Sequence, residues 1–445
     1  MTAVDQGPRT AANTATTMAR TDGILPPRPL NLTEHRAYYG PLPTGEQLQV
    51  GALTDLLGRA GVRGRGGAGF PLYRKILSVS QAARSRRVAP VIVANGCEGE
   101  PASHKDKHLL WAAPHLVLDG LTLLARELRV DRAVLAIEAG VPGGSGDLAR
   151  KLRAATAERQ DGGVRIDVAE IPGRFVAGES AALVDRLDGG PGLPAYREQP
   201  VRERGLGGAP TLVQNVETLA QVALVARYGS AWFRGFGTVG EPGPQLLTVY
   251  AGRSRPRVVQ SQAGEAIWPL IGHADPIDGV LIGGYHGEWI PTTTARRARL
   301  TEIELGTPIG AGLIAALPAE RCGLAETAHL MRYLALESAG QCGPCFNGLP
   351  RIAAAMERLA DPGRAVQERS LVEDIARWAG MVEGRGLCHH PDGSVRLVRS
   401  ALLVFRPEIA AHQAGVCTGT DQRPFLPAPM RDGVAGSTGA RGSHA

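Results

Sequence analysis

The sequence predicts an α/β domain followed by a small β-rich insert and an all-helical C-terminal region. Three observations carry that prediction. Between residues 50 and 240 short apolar runs alternate with segments of helical periodicity. Between about 246 and 294 the runs turn short and strand-like (LLTVYAG, RVVQSQ, GVLIGGY) with little helix between them. From about 325 to 412 every segment reads as helix.

In order along the chain, residues 53–61 read as a helix leading into a glycine-rich loop. APVIVA at 89–94 is a buried strand that ends at Asn95, and 108–128 is one long helix with apolar period. A strand at 133–137, a helix at 146–158 and a strand at 164–171 continue the alternation, followed by helices at 179–187 and 215–228. Residues 1–24, rich in Ala and Thr without hydrophobic periodicity, read as a disordered arm, and 416–445 as a flexible tail. The expected division is 25–240 for the α/β domain, 241–320 for the insert and 321–415 for the helical region. No internal repeat is visible.

Bulk composition narrows the function classes. A chain of 445 residues that is 43% hydrophobic is not disordered, and its 58 Gly and 32 Pro show no collagen period. The net charge is +6, but the basic residues are spread along the chain and not interleaved with aromatics, so no nucleic-acid partner is expected. No stretch reaches the ~20 apolar residues of a membrane span. Arg9 and Arg20 lack a following apolar region, so no secretory signal is read. Six cysteines are too sparse for a disulfide scaffold, which favours a reducing cytoplasmic setting in which clustered cysteines hold metal.

Four stretches carry chemistry. Gly64, Gly66 and Gly69 form G-x-G-x-x-G, but a helix rather than a strand precedes it, and no acid follows about twenty residues on. A dinucleotide fold of the usual kind is therefore not expected. A phosphate-cradling loop with Lys75 as point charge, or a plain surface turn, remains. Asn95-Gly96-Cys97-Glu98-Gly99-Glu100-Pro101 stands at a strand end with two carboxylates two residues apart. It reads as a ligand-facing turn or, taken alone, a solvated acidic turn. Gly178-Glu179-Ser180 looks like a helix N-terminus and a natural anion site. Residues 209–219 read as a polar loop opening a helix.

Cys342-Gly343-Pro344-Cys345 brings two sulfurs within reach of one metal or cluster corner, and Cys388 follows downstream. Spacing alone allows an iron–sulfur cluster. It also allows zinc held by these three with His389 or His390. Cys322 and Cys417, taken singly, read as buried inert thiols.

Together the ordered motifs resemble one family. They are RGRGGAGFP, N-x-x-E-x-E-P followed by K-D, G-E-x-x-A-L, T-x-V-x-N-V-E-T-L, and E-S-x-G-Q-C-x-P-C with a distant cysteine, spanning roughly residues 50–410. The chain resembles the flavin-carrying, NADH-oxidising subunit of respiratory complex I, shared with large subunits of soluble hydrogenases and NAD-linked formate dehydrogenases. The resemblance implies an FMN-binding α/β domain, a β-grasp-like insert and a C-terminal helical bundle with an iron–sulfur site. It implies NADH as substrate, hydride transfer to FMN, and single electrons passed to a cluster and then to a ferredoxin-like or complex I-like protein. Gly64, Arg65, Gly66 and Lys75 would hold the FMN phosphate and ribityl region. Asn95, Phe175, Gly178, Val213, Asn215 and Thr218 would line the flavin, with Gly67, Glu179 and Gln214 at neighbouring motif positions. Glu98 and Glu100 would be the catalytic carboxylates, Glu100 nearest the nicotinamide, with Phe70 a stacking face for NADH.

The chain also departs from the pattern. The first cysteine of the cluster motif is Ala339, leaving Cys342, Cys345 and Cys388 as metal ligands. That implies a [3Fe–4S] cluster, or a [4Fe–4S] cluster with a non-standard fourth ligand: Ser338, His389, Cys417 or an external molecule. Ser78 and Val201 stand where aromatic faces are expected, so FMN binding is better preserved than NADH binding. The alternative expectation is a divergent flavin electron-transfer protein with a decayed NADH site. A redox-inert scaffold or zinc-binding module is the third.

Overall fold

The computed structural model describes residues 23–43, 48–140, 145–159, 163–194, 196–272 and 276–429. The first part runs α1 (Leu32–Tyr39), α2 (Ala52–Ala60), α3 (Leu72–Arg86), β1 (Val91–Gly96), α4 (Lys105–Ala112), α5 (Pro114–Leu128) and β2 (Arg132–Glu138). It continues with α6 (Ser145–Ala157), β3 (Arg165–Ile171), α7 (Ser180–Leu187), β4 (Thr211–Asn215) and α8 (Val216–Arg234). Its four strands form one sheet in the order β3-β2-β1-β4, every pair parallel. A parallel sheet must be covered on both faces, and β1 reads accordingly as a near-continuous apolar run.

Two expectations for this part are corrected. The single helix read over 108–128 is two helices, α4 and α5, bent by 94°. Pro114 has no N–H to continue the first helix and pushes Ala113 out of helical geometry (φ −137°, ψ 55°). The polar loop read over 209–219 contains β4, which pairs with β1 from Val91↔Thr211 to Asn95↔Asn215. Its sequence TLVQN has no alternation to announce a strand; the pairing comes from tertiary contact. Residues 114–125 are all buried, Asp119 included. That carboxylate accepts from Arg159 (2.5 Å), Arg227 (2.5 Å) and His35 (2.7 Å), which makes its burial tolerable.

The insert runs β5 (Pro244–Ala251), β6 (Arg257–Gln262), α9 (Ile267–Ile271), β7 (Ile277–Ile282), β8 (Glu288–Pro291), α10 (Thr292–Ala295), α11 (Glu302–Leu305) and β9 (Leu313–Pro318). The strands form a mixed sheet, β6-β5-β9-β7-β8, with β5 and β9 parallel. The helical region follows as α12 (Gly323–Leu336), α13 (Leu349–Ala360), α14 (Pro362–Gln367), α15 (Leu371–Val382), α16 (His390–Val404) and α17 (Arg406–Gln413). Leu330, Leu334, Ile352, Met356, Ile375 and Val398 are among the residues of its common core.

The ends differ from expectation where they are described. Ile24, placed in the disordered arm 1–24, is buried in the α/β core, and its carbonyl accepts from Tyr39 Oη (2.7 Å). Within the tail expected from 416, Leu426 is buried. The N–H groups of Phe425 and Leu426 each donate to Glu326 at 2.8 Å, and Tyr285 Oη donates to Pro427 O. Residues 1–22 and 430–445 lie outside the described residues. Among the described residues no single helix is long and apolar enough to cross a membrane; α4 and α5 pass only as a bent pair, and α5 is a core helix.

Candidate functional site

In the order β3-β2-β1-β4 the chain leaves β1 toward one side and returns on the other. The C-terminal ends of β1 and β4 therefore flank a topological switch point, where open α/β sheets leave a crevice. Ala94 and Gln214, then Asn95 and Asn215, are register partners there. The glycine loop folds over this point. Gly64 N–H donates to Phe70 O (2.9 Å), closing the loop, and Arg65 N–H donates to Thr218 Oγ1 in α8 (2.9 Å). Gly67 has φ +102°, a region that side chains avoid, and a Cβ built on it meets nothing within 4 Å. The loop backbone thus faces open space. Arg65 Nη1 donates to Gln245 Oε1 of β5 (3.0 Å), so the insert closes the other wall. Between them lies a cleft open to solvent, lined by Gly64, Arg65, Gly67, Lys105, Glu217 and Gln245 among others.

The floor is a network of buried charges. Lys105 Nζ sits 2.8 Å from both Asp106 Oδ1 and Glu217 Oε2. Burial alone would lower its pKa, but Asp106, Glu217 and Glu98 outweigh that and hold the ammonium charged. Asn215 caps α8 with Oδ1 and donates from Nδ2 to Asp106 Oδ2 (2.7 Å). Glu217 Oε1 accepts from Leu246 N–H (2.9 Å), tying α8 to the insert. Sequence reasoning placed Lys105 near the site without a role. A lysine in a chain with only four, followed by Asp, is the signal that marks it.

The acidic turn divides its two carboxylates. Glu98 accepts from Ser103 Oγ (2.5 Å) and from the N–H groups of Asp106 (3.1 Å) and Lys107 (3.2 Å), so it caps α4. Both its oxygens are used inside the protein. Among the described residues the Glu100 carboxylate accepts only from Tyr285 N–H (3.0 Å) through Oε2, while Oε1 is buried with no hydrogen-bond partner. Burial pushes its pKa up to about 8, partly offset by the Tyr285 amide and reinforced by Glu98. Cys97 is buried and its thiol is pushed well up, by burial first and then by Glu138. Lys75 Nζ donates to Val213 O (2.6 Å), and burial with nearby Arg202 lowers its pKa to about 8. Asn95 Nδ2 reaches Gly178 O (2.8 Å). The anion site expected at Gly178-Glu179-Ser180 is filled by the chain itself. Glu179 accepts from Ala181 (2.8 Å) and Ala182 (3.0 Å) and caps α7.

Phe175 joins this floor to the helical region. Its ring stacks parallel to Tyr285 (6.3 Å, 9°) and meets the edges of His286, Tyr333 and His390. Its N–H donates to Glu337 Oε2 (2.9 Å), one turn before the cysteine motif. The backbone here is tight. A Cβ at Gly99 would collide with Phe175 O, so only glycine fits.

The site residues fit a flavin phosphate and ring on one observation. Four buried polar atoms around the switch point have no hydrogen-bond partner among the described residues: Arg65 Nε, Gln214 Oε1, Gln245 Nε2 and Glu100 Oε1. Native interiors rarely leave such atoms unpaired unless something else satisfies them. Phe70, by contrast, is 48% exposed at the loop tip.

At the far side of Phe175, Cys342 Sγ donates to Cys345 Sγ (3.5 Å) at a π-turn spanning Pro344–Gly348, and Cys388 precedes α16. Burial raises the Cys345 thiol, yet backbone hydrogen bonds from Gln341, Gly340 and Cys342 with the Cys342 thiol bring it below its ordinary value. Cys342, Cys345 and Cys388 do not converge within 4.8 Å of one another. That spread suits a cluster better than one tetrahedral ion. His390 is not free for zinc: Nε2 donates to Leu334 O (2.8 Å) and Nδ1 meets His286 Nε2 (3.0 Å). Cys417, a candidate fourth ligand, instead lies with Cys322 and His412. Ala339 is buried beside the turn.

Two family models match the chain: the Nuo51 FMN-binding domain over residues 57–224, and the NADH-ubiquinone oxidoreductase-F iron-sulfur binding region over 325–412. The chain is 29% identical over 381 residues to the F subunit of the NADH-quinone oxidoreductase of Mycobacterium tuberculosis (strain ATCC 25618 / H37Rv), covering 80% of this chain and 83% of that protein. It is 28% identical over 385 residues to the mitochondrial NADH dehydrogenase [ubiquinone] flavoprotein 1 of Dictyostelium discoideum, covering 82% and 80%. Among solved structures, an NAD+-reducing [NiFe]-hydrogenase in its H2-reduced state matches with a TM-score of 0.74 at 29% identity. That match covers 82% of this chain and 62% of the hydrogenase chain, so this chain spans less than two thirds of its length.

Proposed function

The chain belongs, as a divergent member, to the family of FMN-carrying, NADH-oxidising subunits of complex I and NAD+-reducing hydrogenase, and from that premise we propose how its residues serve that activity. It is an oxidoreductase component that carries FMN and an iron–sulfur cluster. When bound, FMN would supply two-electron chemistry toward NADH and the cluster one-electron transfer. The observation that carries the site assignment is the group of unpaired buried atoms at the switch point.

In this reading Gly64, Arg65, Gly66 and Gly67 present backbone to the flavin phosphate, with Lys75 as its cation. Asn95, Phe175, Gly178, Val213, Gln214, Asn215 and Thr218 shape the flavin pocket. Lys105, Asp106 and Glu217 hold α4, α8 and β5 in register beneath it. Glu98 and Glu179 are positioning residues, because each spends its carboxylate on a helix N-terminus. Glu100 is the acid facing the chemistry. Kept neutral by burial near pH 7, it donates a hydrogen bond rather than repelling an electron-rich ring. Phe70 offers the exposed stacking face for the nucleotide.

Cys342, Cys345 and Cys388 hold three corners of the cluster, with Ser338, beside Ala339 in sequence, His389 or an external molecule at the fourth. Leu336, Phe346 and Leu387, beside these cysteines in sequence, are exposed, and we assign that apolar rim to a redox partner of the ferredoxin or complex I type. Six unpaired cysteines accord with a reducing cytoplasm. The deciding measurement is the visible spectrum of anaerobically purified protein before and after NADH. Flavin absorbance bleached by NADH is the expected result; flavin that stays oxidised favours a decayed NADH site, and a colourless protein defeats the reading.

A further inference from the structure

The helical region contains a second cysteine cluster that neither family motif uses. It lies at the opposite end of α12 from Cys342, about 20 Å along a helix of 14 residues. Cys322 is the N-cap of α12, His412 is in the last turn of α17, and Cys417 follows on the returning loop. Ligand atoms of these three all lie within 4.8 Å of one another. Glu408, one turn before His412 on α17, places Oε2 3.2 Å from Cys322 Sγ.

The spacing has a chemical meaning. Zinc bonds of ~2.3 Å to sulfur and ~2.0 Å to nitrogen, set at the tetrahedral angle, separate the two ligand atoms by about 3.5 Å. Cys322 Sγ and His412 Nε2 are 3.5 Å apart. The imidazole is already oriented for this. His412 Nδ1 lies 2.9 Å from Leu359 O, and a carbonyl only accepts, so Nδ1 carries the proton and the Nε2 lone pair faces the thiols. Ala325 N–H, in the first turn of α12, points at Cys322 Sγ (3.4 Å) and supports a thiolate there. Cys322 and His412 are buried, so a metal here is shielded from exchange.

We propose that Cys322, His412 and Cys417 bind one divalent ion of the zinc class, with Glu408, which accepts from Leu324 N–H (3.3 Å), standing behind the Cys322 sulfur. Three protein donors leave one position for a water, and the burial of Cys322 and His412 gives the ion a structural place in the fold. It clasps the loop after α17 to the start of α12. The same seam is stitched by Thr420 and Asp421 N–H donating to Glu320 O (2.9 and 3.0 Å) and by residues 425 and 426 on Glu326. Binding replaces two thiol protons by the metal, so it releases protons and needs no redox partner.

The test is metal analysis of the full chain purified anaerobically without chelator. We expect ~1 zinc per chain beside the cluster iron. That zinc should persist in Cys388→Ser and vanish in Cys417→Ser and His412→Gln. Should the last two variants fail to fold, cobalt exchanged into the wild-type protein answers instead: visible ligand-field bands of tetrahedral cobalt with thiolate charge transfer support the site. Wild-type protein that retains iron but holds no zinc and gives no such cobalt bands overturns the proposal. So does a Cys322–Cys417 disulfide in non-reduced peptides, or zinc that leaves with Cys388→Ser and stays in Cys417→Ser.

Discussion

The cleft at the strand ends and the cysteine turn beyond Phe175, the two ends of the proposed electron path, are built in opposite ways. At the floor of the cleft buried charges are balanced inside the protein, Lys105 by Asp106 and Glu217 and Glu98 by the N-terminus of α4, while Arg65 and Lys75 above it meet only neutral acceptors. What is left open there are neutral or single polar atoms that a ligand can satisfy. At the cysteine turn the scaffold supplies three half-buried or buried thiols and little else, and Ala339 removes a fourth. The cleft is held by interactions within the protein, whereas the cysteine turn offers thiols that only a bound inorganic group would join. Preorganisation costs stability to lose; a missing ligand costs retention of the group.

The largest expected effect breaks the first half of that contrast. Lys105→Met leaves Asp106 and Glu217 buried and facing each other without a cation, and should destabilise the protein by about 3–5 kcal/mol. Urea unfolding of the cofactor-free chain measures it. A loss under about 1 kcal/mol would mean that the floor is not held by this ion triad.

Next comes Glu100. Its folded pKa of about 8 exceeds the ordinary 4.5, so the folded state holds a proton that the unfolded state releases between those values. Stability from this group is complete below about pH 4.5 and is lost as pH rises through about 8, a few kcal/mol at most. Glu100→Gln should flatten that slope, and parallel unfolding series of the two proteins at several pH values would show it. Equal slopes would remove Glu100 as a neutral acid at neutral pH.

The second half of the contrast is sharpened by Ala339→Cys, which offers the thiolate that the turn lacks. Retention of cluster iron during gel filtration should improve on the order of tenfold. EPR of the oxidised protein should lose any three-iron signal. An unchanged signal would place the fourth ligand elsewhere than at residue 339.

Much of this could be read from residues. The glycine loop, the acidic turn and the C-x2-C pair announced themselves because each needs particular residue types at fixed offsets. What escaped the sequence depended on long-range packing. β4 exists because β1 offers it a parallel edge, not because TLVQN alternates. The acids of Glu98 and Glu179 looked like ligand groups, and only the fold shows them capping the chain's own helices. Cys322 and Cys417 looked inert because 94 residues of intervening sequence hide that α17 returns to the start of α12.

The smallest expected effect lies at the seam between the two regions. Phe175→Leu keeps apolar volume but loses the parallel stack on Tyr285 and the edge contacts to His286, Tyr333 and His390. Aromatic pairs contribute roughly 0.5–1.5 kcal/mol beyond burial, so a loss of about 1 kcal/mol is expected. The control is Phe70→Leu, whose side chain is 48% exposed. It should move stability by less than about 0.5 kcal/mol while raising the KM for NADH several-fold. If Phe70→Leu instead destabilises the fold and leaves KM alone, the glycine loop belongs to the scaffold rather than the nucleotide face. The stacking surface for NADH must then be sought on the insert.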